Sequence, residues 1–147
     1  MKNPEQRCDE YLFSTRLYGY KIKHDTGINA EIRLARIIIP RVINGYFPPW
    51  FKGYRISTLE QDYQHATDSF AIILDDINRK IKVPIQLKAS KTTARNKRRS
   101  GHDANIPTFV VCGDDQQLVD EFGDFLTRIR ELIISSNGDC PVKYYFI

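Results

Sequence analysis

The sequence predicts an α/β domain with a central mixed β-sheet. Two segments, Thr26–Ile39 and Asp115–Ser135, repeat apolar residues three and four apart, as helices that bury one face do. Two others, Ser69–Leu74 and Lys80–Ala89, have strand composition and are separated by the polar turn Asp75–Arg79. Shorter apolar runs at Ile106–Cys112 and Val142–Ile147 supply further strands around the second helix. With 147 residues, the chain reads as one domain, 1–147, able to bury roughly two thirds of its unfolded surface without disulfide or metal.

The first twenty-five residues show no clear period and receive no element. Asp25 or Thr26 can cap the first helix, and Pro40 should end it, because proline lacks the donor and clashes with the preceding turn. Asn44-Gly45 and Pro48-Pro49 mark turns within an aromatic segment, Tyr46–Tyr54, whose rings can pack on the core or offer an exposed contact. Tyr54–Thr58 reads as a short strand, and Lys91–Asn105, almost free of apolar residues, as an exposed loop. In the second helix Leu118, Phe122, Phe125, Leu126, Ile129, Leu132 and Ile133 form the buried stripe, and Asn137-Gly138 ends it.

Composition excludes several classes. No apolar run approaches the ~18 residues of a membrane span, and Met1–Asp9 is too polar for a secretory signal. Cys8, Cys112 and Cys140 are odd in number, scattered and without a C-x-x-C pair, which argues against a disulfide scaffold or zinc knuckle and for a cytoplasmic setting. There is no P-loop, G-x-G-x-x-G or G-x-S-x-G, so neither a nucleotide cofactor nor serine chemistry is expected. His24, His65 and His102 lack ligand spacing.

The net charge of +4 conceals an asymmetry. Nine bases and no acid lie between Arg79 and His102, and without them the twenty-two bases fall to thirteen against eighteen acids. A concentrated basic stretch on an otherwise acidic chain suggests a polyanionic partner; the plainer reading is a solvated loop.

Within the hairpin, a turn centred on Ile77 makes the numbers of paired residues sum to 154, which sets Asp68 opposite Gln86 with Lys88 diagonal to it. Alternation puts Ile85, Leu87 and Ala89 on one face and Gln86, Lys88 and Ser90 on the other. Such a polar row opposite an aspartate is a solvated face or a site. On the first helix, at roughly 100° per residue, Glu31 falls inside the apolar stripe. A buried acid needs a cation, a metal or hydrogen-bond donors; a stripe-edge acid can instead reach water or pair with an arginine.

Thr67-Asp68, with Ile85-Gln86-Leu87-Lys88-Ala89-Ser90 beginning seventeen positions beyond Asp68, resembles the PD-(D/E)XK nuclease superfamily, with Glu31 on a helix upstream. Thr67 replaces the motif's proline. Gln86 replaces its second acid, as in the Q-x-K of Mrr-type members, and removes one negative charge. The polar Lys91–Asn105 stretch is unlike the packed helix that usually follows the tripeptide.

The resemblance implies a restriction-endonuclease-like fold, whose hairpin carries the site, and a Mg²⁺-dependent deoxyribonuclease, with Mn²⁺ as substitute. The implied catalytic residues are Asp68, Gln86, Lys88 and Glu31. Asp68, Gln86 and the Leu87 carbonyl would hold the metal, and Glu31 a ligand water or a second ion, since magnesium prefers oxygen donors. Lys88 would orient the attacking water, while Ser90, Lys91, Arg95, Lys97, Arg98 and Arg99 would hold phosphates. DNA is the expected substrate, and a homodimer would let a small enzyme cut both strands, with Tyr46–Tyr54 as its contact. The alternatives are a nucleic-acid-binding protein that keeps the fold without turnover, and a protein-interaction domain with a basic loop.

Overall fold

The computed structural model describes residues 2–17, 26–58, 60–61, 67–89, 105–136 and 138–147. In chain order its elements are α1 (Pro4–Phe13), α2 (Thr26–Ile43), β1 (Phe51–Ile56), β2 (Ser69–Leu74), β3 (Lys80–Lys88), β4 (Thr108–Val110), α3 (Asp115–Ser135) and β5 (Tyr145–Phe146). This is an α/β arrangement with a mixed, open five-stranded sheet in the order β1-β2-β3-β4 and β5 on β3. The pairs β1–β2 and β2–β3 are antiparallel, β3–β4 is parallel, and β5 runs antiparallel to β3. The hairpin of β2 and β3 is therefore central, as its continuous apolar runs require.

One face of the sheet carries Tyr54, Ser69, Ala71, Ile73, Ile81, Val83, Ile85, Leu87 and Phe109, all buried. Phe122 of α3 sits on it, its ring centroid 5.0 Å from Phe109, 5.6 Å from Tyr54 and 6.1 Å from Phe51. Burying an aromatic ring so completely contributes roughly 1.5–3 kcal/mol. The helix α2 packs against β1, β3 and α3, and α1 against α2, where the Cys8 thiol donates to the Ala35 carbonyl at 3.5 Å.

Several sequence expectations need correction. The first helix does not stop at Pro40 but continues to Ile43. Burial of Ile37, Ile38 and Pro40 offsets the proline's missing bond, and the Arg41 guanidinium donates to the Ile37 carbonyl at 2.9 Å. The helix ends instead at Asn44-Gly45, where Tyr46 N–H reaches the Arg41 carbonyl and Gly45 N–H the Val42 carbonyl, with Gly45 at φ +72°. That is a Schellman closure, which favours glycine.

Most of the aromatic segment is packed inward rather than exposed. Phe47, Phe51 and Tyr54 are buried and Trp50 half-buried beneath Arg130, leaving Tyr46, Pro48 and Pro49 at the surface. The strand expected at Tyr54–Thr58 starts at Phe51, because a turn closed by Phe51 N–H on the Pro48 carbonyl delivers the chain to β2 earlier. β4 and β5 are shorter than their apolar runs suggested, although burial extends beyond β4 at Ile106 and Val111. The N-terminal helix α1 was not expected. No helix among the described residues is long and apolar enough to cross a membrane.

Candidate active site

The hairpin turn fixes the site's register. Asp75, buried, accepts from Ile77 N–H at 3.0 Å, Arg79 N–H at 2.8 Å and the Arg79 Nε at 2.7 Å, with Asn78 in the left-handed region at φ 62°. Burial pushes its carboxyl up, but the bonds from Arg79 and Ile77 outweigh this and hold it below the ordinary carboxylate value. Its role is turn geometry. From there the pairs run Leu74↔Lys80 to Ser69↔Ile85, each summing to 154 as the sequence arithmetic requires.

The register ends at Ser69↔Ile85, so Asp68 and Gln86 do not form the expected ladder pair; the Asp68 side chain bonds β3 instead. Asp68 Oδ2 accepts from Leu87 N–H at 2.6 Å, while Asp68 N–H donates to the Ile85 carbonyl at 2.9 Å. The Asp68 carbonyl accepts from Ser57 N–H at 3.1 Å, Ser57 Oγ at 2.9 Å and Arg16 Nη2 at 2.9 Å. So many anchors fix the carboxylate against β3.

On β3, Leu87 turns into the core, while Gln86 and Lys88 share the opposite face and are only 3% and 8% exposed. The polar row is thus no solvated face at these two positions. Gln86 N–H donates to the Pro107 carbonyl at 2.9 Å, and its Oε1 accepts from Thr108 Oγ1 at 3.3 Å across to β4. Its Nε2 is buried without a hydrogen-bond partner among the described residues. The Lys88 carbonyl accepts from Val111 N–H at 2.8 Å, so the parallel β4 locks the strand end that carries the lysine.

Glu31 is buried on α2, where the helical phase puts it, and its partner is an arginine. Arg16 Nη2 lies 2.8 Å from Oε1 and Nη1 3.2 Å from Oε2. The same Nη2 is 3.9 Å from Asp68 Oδ1, so one guanidinium stands between both carboxylates. Sequence reasoning missed Arg16, which follows a helix it did not assign. Beside this cluster the buried hydroxyls of Tyr54 and Ser69 face each other without closing a bond of ordinary geometry. Burial, with the charges of Glu31 and Asp68 nearby, pushes the Tyr54 phenol far up, so it stays protonated.

The structure therefore brings Asp68, Gln86, Leu87 and Lys88 together at one end of the hairpin and joins Glu31 to Asp68 through Arg16. Ser90, Lys91, Arg95, Lys97, Arg98 and Arg99 lie outside the described residues, as do the three histidines. Among the described residues no trio of His, Cys, Asp or Glu gathers as a metal-binding group. The oxygens that suit a hard cation are the Asp68 carboxylate, the Leu87 carbonyl and Gln86 Oε1, the last already accepting from Thr108 Oγ1. Glu31 does not fit as a ligand while both its oxygens bind Arg16. Cys8 is no nucleophile, since burial and the neighbouring Asp9 push its thiol up to about 11.

A groove of about 540 Å³ opens beside Thr67, next to Asp68 in sequence, lined by Thr58, Phe70, Lys82, Pro84 and Lys143 among others. The Lys82 ammonium lies 4.1 Å from the centroid of the Phe70 ring. Comparison with protein-family models, curated proteins and solved structures finds no match to this chain.

Proposed function

We propose that this protein is a metal-dependent endonuclease that hydrolyses DNA phosphodiester bonds at Asp68, Gln86 and Lys88, with a restriction-endonuclease-like fold around them. The observation that carries the reading is a buried lysine two residues beyond a glutamine, on a strand whose intervening N–H is bonded by the aspartate of the neighbouring strand. An ammonium held at that position can meet the charge that develops on a scissile phosphate. Mg²⁺ or Mn²⁺, held by Asp68, the Leu87 carbonyl and Gln86, would polarise the phosphate and lower the pKa of the attacking water.

The chain's own residues do the rest. Asp68 is held rigid through its backbone oxygen and Leu87 N–H, so its carboxylate needs no reorganisation when the ion arrives. Lys88 orients the water and meets the charge that develops on phosphate oxygens. Lys82 and Lys143 at the groove, with Ser90 and the basic stretch from Lys91 to Arg99, supply phosphate contacts. A homodimer would place two such sites on a duplex.

Incubating supercoiled plasmid with the protein and Mg²⁺ tests this. Nicking or linearisation should be lost in Asp68→Ala and Lys88→Ala, and cleavage indifferent to both substitutions overturns the assignment. Arg16 favours a second reading, a DNA-binding protein without turnover, because it neutralises Glu31 where Gln86 has already removed a charge. That reading expects DNA affinity unchanged by Mg²⁺ or Mn²⁺ and no cleavage.

A further inference from the structure

Arg16 is built into the site more firmly than any surface ion pair. Its side chain is 4% exposed, against 7% for Glu31 and 15% for Asp68. Nη1 and Nη2 donate to the two Glu31 oxygens, Nη2 also to the Asp68 carbonyl, and Nε to Ser57 Oγ at 3.2 Å. The backbone before it is tied down, with Thr15 Oγ1 donating to the Leu12 carbonyl at 2.7 Å, and Leu17 after it is buried. A guanidinium cannot lose its proton at any working pH, so unlike a lysine it cannot yield its place by becoming neutral. A divalent ion on Glu31 would have to displace a buried cation already bonded to both of its oxygens.

We propose that Arg16 is the fixed counter-cation of this site, withholding Glu31 from metal so that a single divalent ion binds, on Asp68. Arg16 is thus a positioning residue: it cancels one carboxylate and braces the other through its backbone oxygen. The single ion rests on the metal-site reading of Asp68, whereas the withholding of Glu31 stands on the ion pair alone.

Mn²⁺ titration of the full chain without DNA, by calorimetry and by electron paramagnetic resonance of the free ion, tests this. The wild type should bind one Mn²⁺, lost in Asp68→Asn and no tighter in Glu31→Gln, which leaves the guanidinium beside Asp68 uncancelled. Arg16→Met should bind about tenfold tighter or take a second ion, because two carboxylates then face the site, and adding Glu31→Gln should abolish that gain. An Arg16→Met/Glu31→Gln double variant that binds clearly weaker than wild type makes Glu31 a ligand and overturns the proposal, as does an Arg16→Met variant that folds and binds like wild type. Should Arg16→Met fail to fold, the double variant, which removes both members of the charge pair together, decides alone. Binding by Arg16→Met but not by wild type upholds the withholding and sinks the native metal site; binding by neither sinks both.

Discussion

At the scale of single residues, the unpartnered Gln86 amide is the most informative group. A buried N–H donor without an acceptor costs about 1–3 kcal/mol, which offsets the one long bond that the side chain makes, from Thr108 Oγ1 to Oε1, while the Gln86 backbone secures β3 to Pro107. Gln86→Met, similar in volume and apolar, should leave the melting temperature unchanged or raise it while abolishing metal-dependent DNA cleavage; a destabilised but active variant would show that the amide serves the fold. The sequence identified Asp68, Glu31, Gln86 and Lys88 as candidates because pairing arithmetic and helical phase are geometric. It could not identify Arg16. A buried arginine that pairs with an acid fifteen residues away leaves no periodic trace, and only its acidic partner stood out, as a charge inside an apolar stripe.

At the scale of elements, the hairpin is held in register by its turn. Asp75→Asn removes the charge from three converging donors and should cost about 1–3 kcal/mol, measured by urea unfolding. Because the folded carboxyl lies below its ordinary value, the wild type's margin should be complete at neutral pH. It should shrink as pH falls below about 4, through the folded-state value; a margin independent of pH contradicts the assignment. Elements with strong periodicity, β2, β3 and α3, were legible almost to the residue. The end of α2 was not, because burial of Ile37 and Ile38 outweighed the local cost of Pro40. The α1 helix was missed, although Asn3, Pro4 and Gln6 spell a capping box with proline in the first turn. Its amphipathic pattern is weak, and Cys8 and Leu12 are its only fully buried residues.

At the scale of the whole molecule, charge asymmetry decides what the domain can meet. Nine of its twenty-two bases fall between Arg79 and His102, against a remainder that is net acidic. Each phosphate neutralised contributes roughly 0.9 to the slope of log affinity against log salt on duplex DNA. Changing Arg95, Lys97, Arg98 and Arg99 together to alanine should therefore lower that slope by about 2–4 and weaken binding to all sequences alike. Retained slope and affinity would assign the DNA-binding face elsewhere, with the groove at Lys82 and Lys143 the next place to test.

The central claim, that Asp68 and its neighbours on β3 hydrolyse DNA, is tested most directly by single-turnover cleavage of a labelled duplex in Mg²⁺ by wild type and Asp68→Asn. The amide keeps the shape and can still accept from Leu87 N–H, so folding and DNA affinity should be retained while only the carboxylate charge is lost. The account predicts a rate lower by roughly 10²–10³-fold at saturating protein. Cleavage by Asp68→Asn at the wild-type rate, with equal DNA affinity, would contradict it.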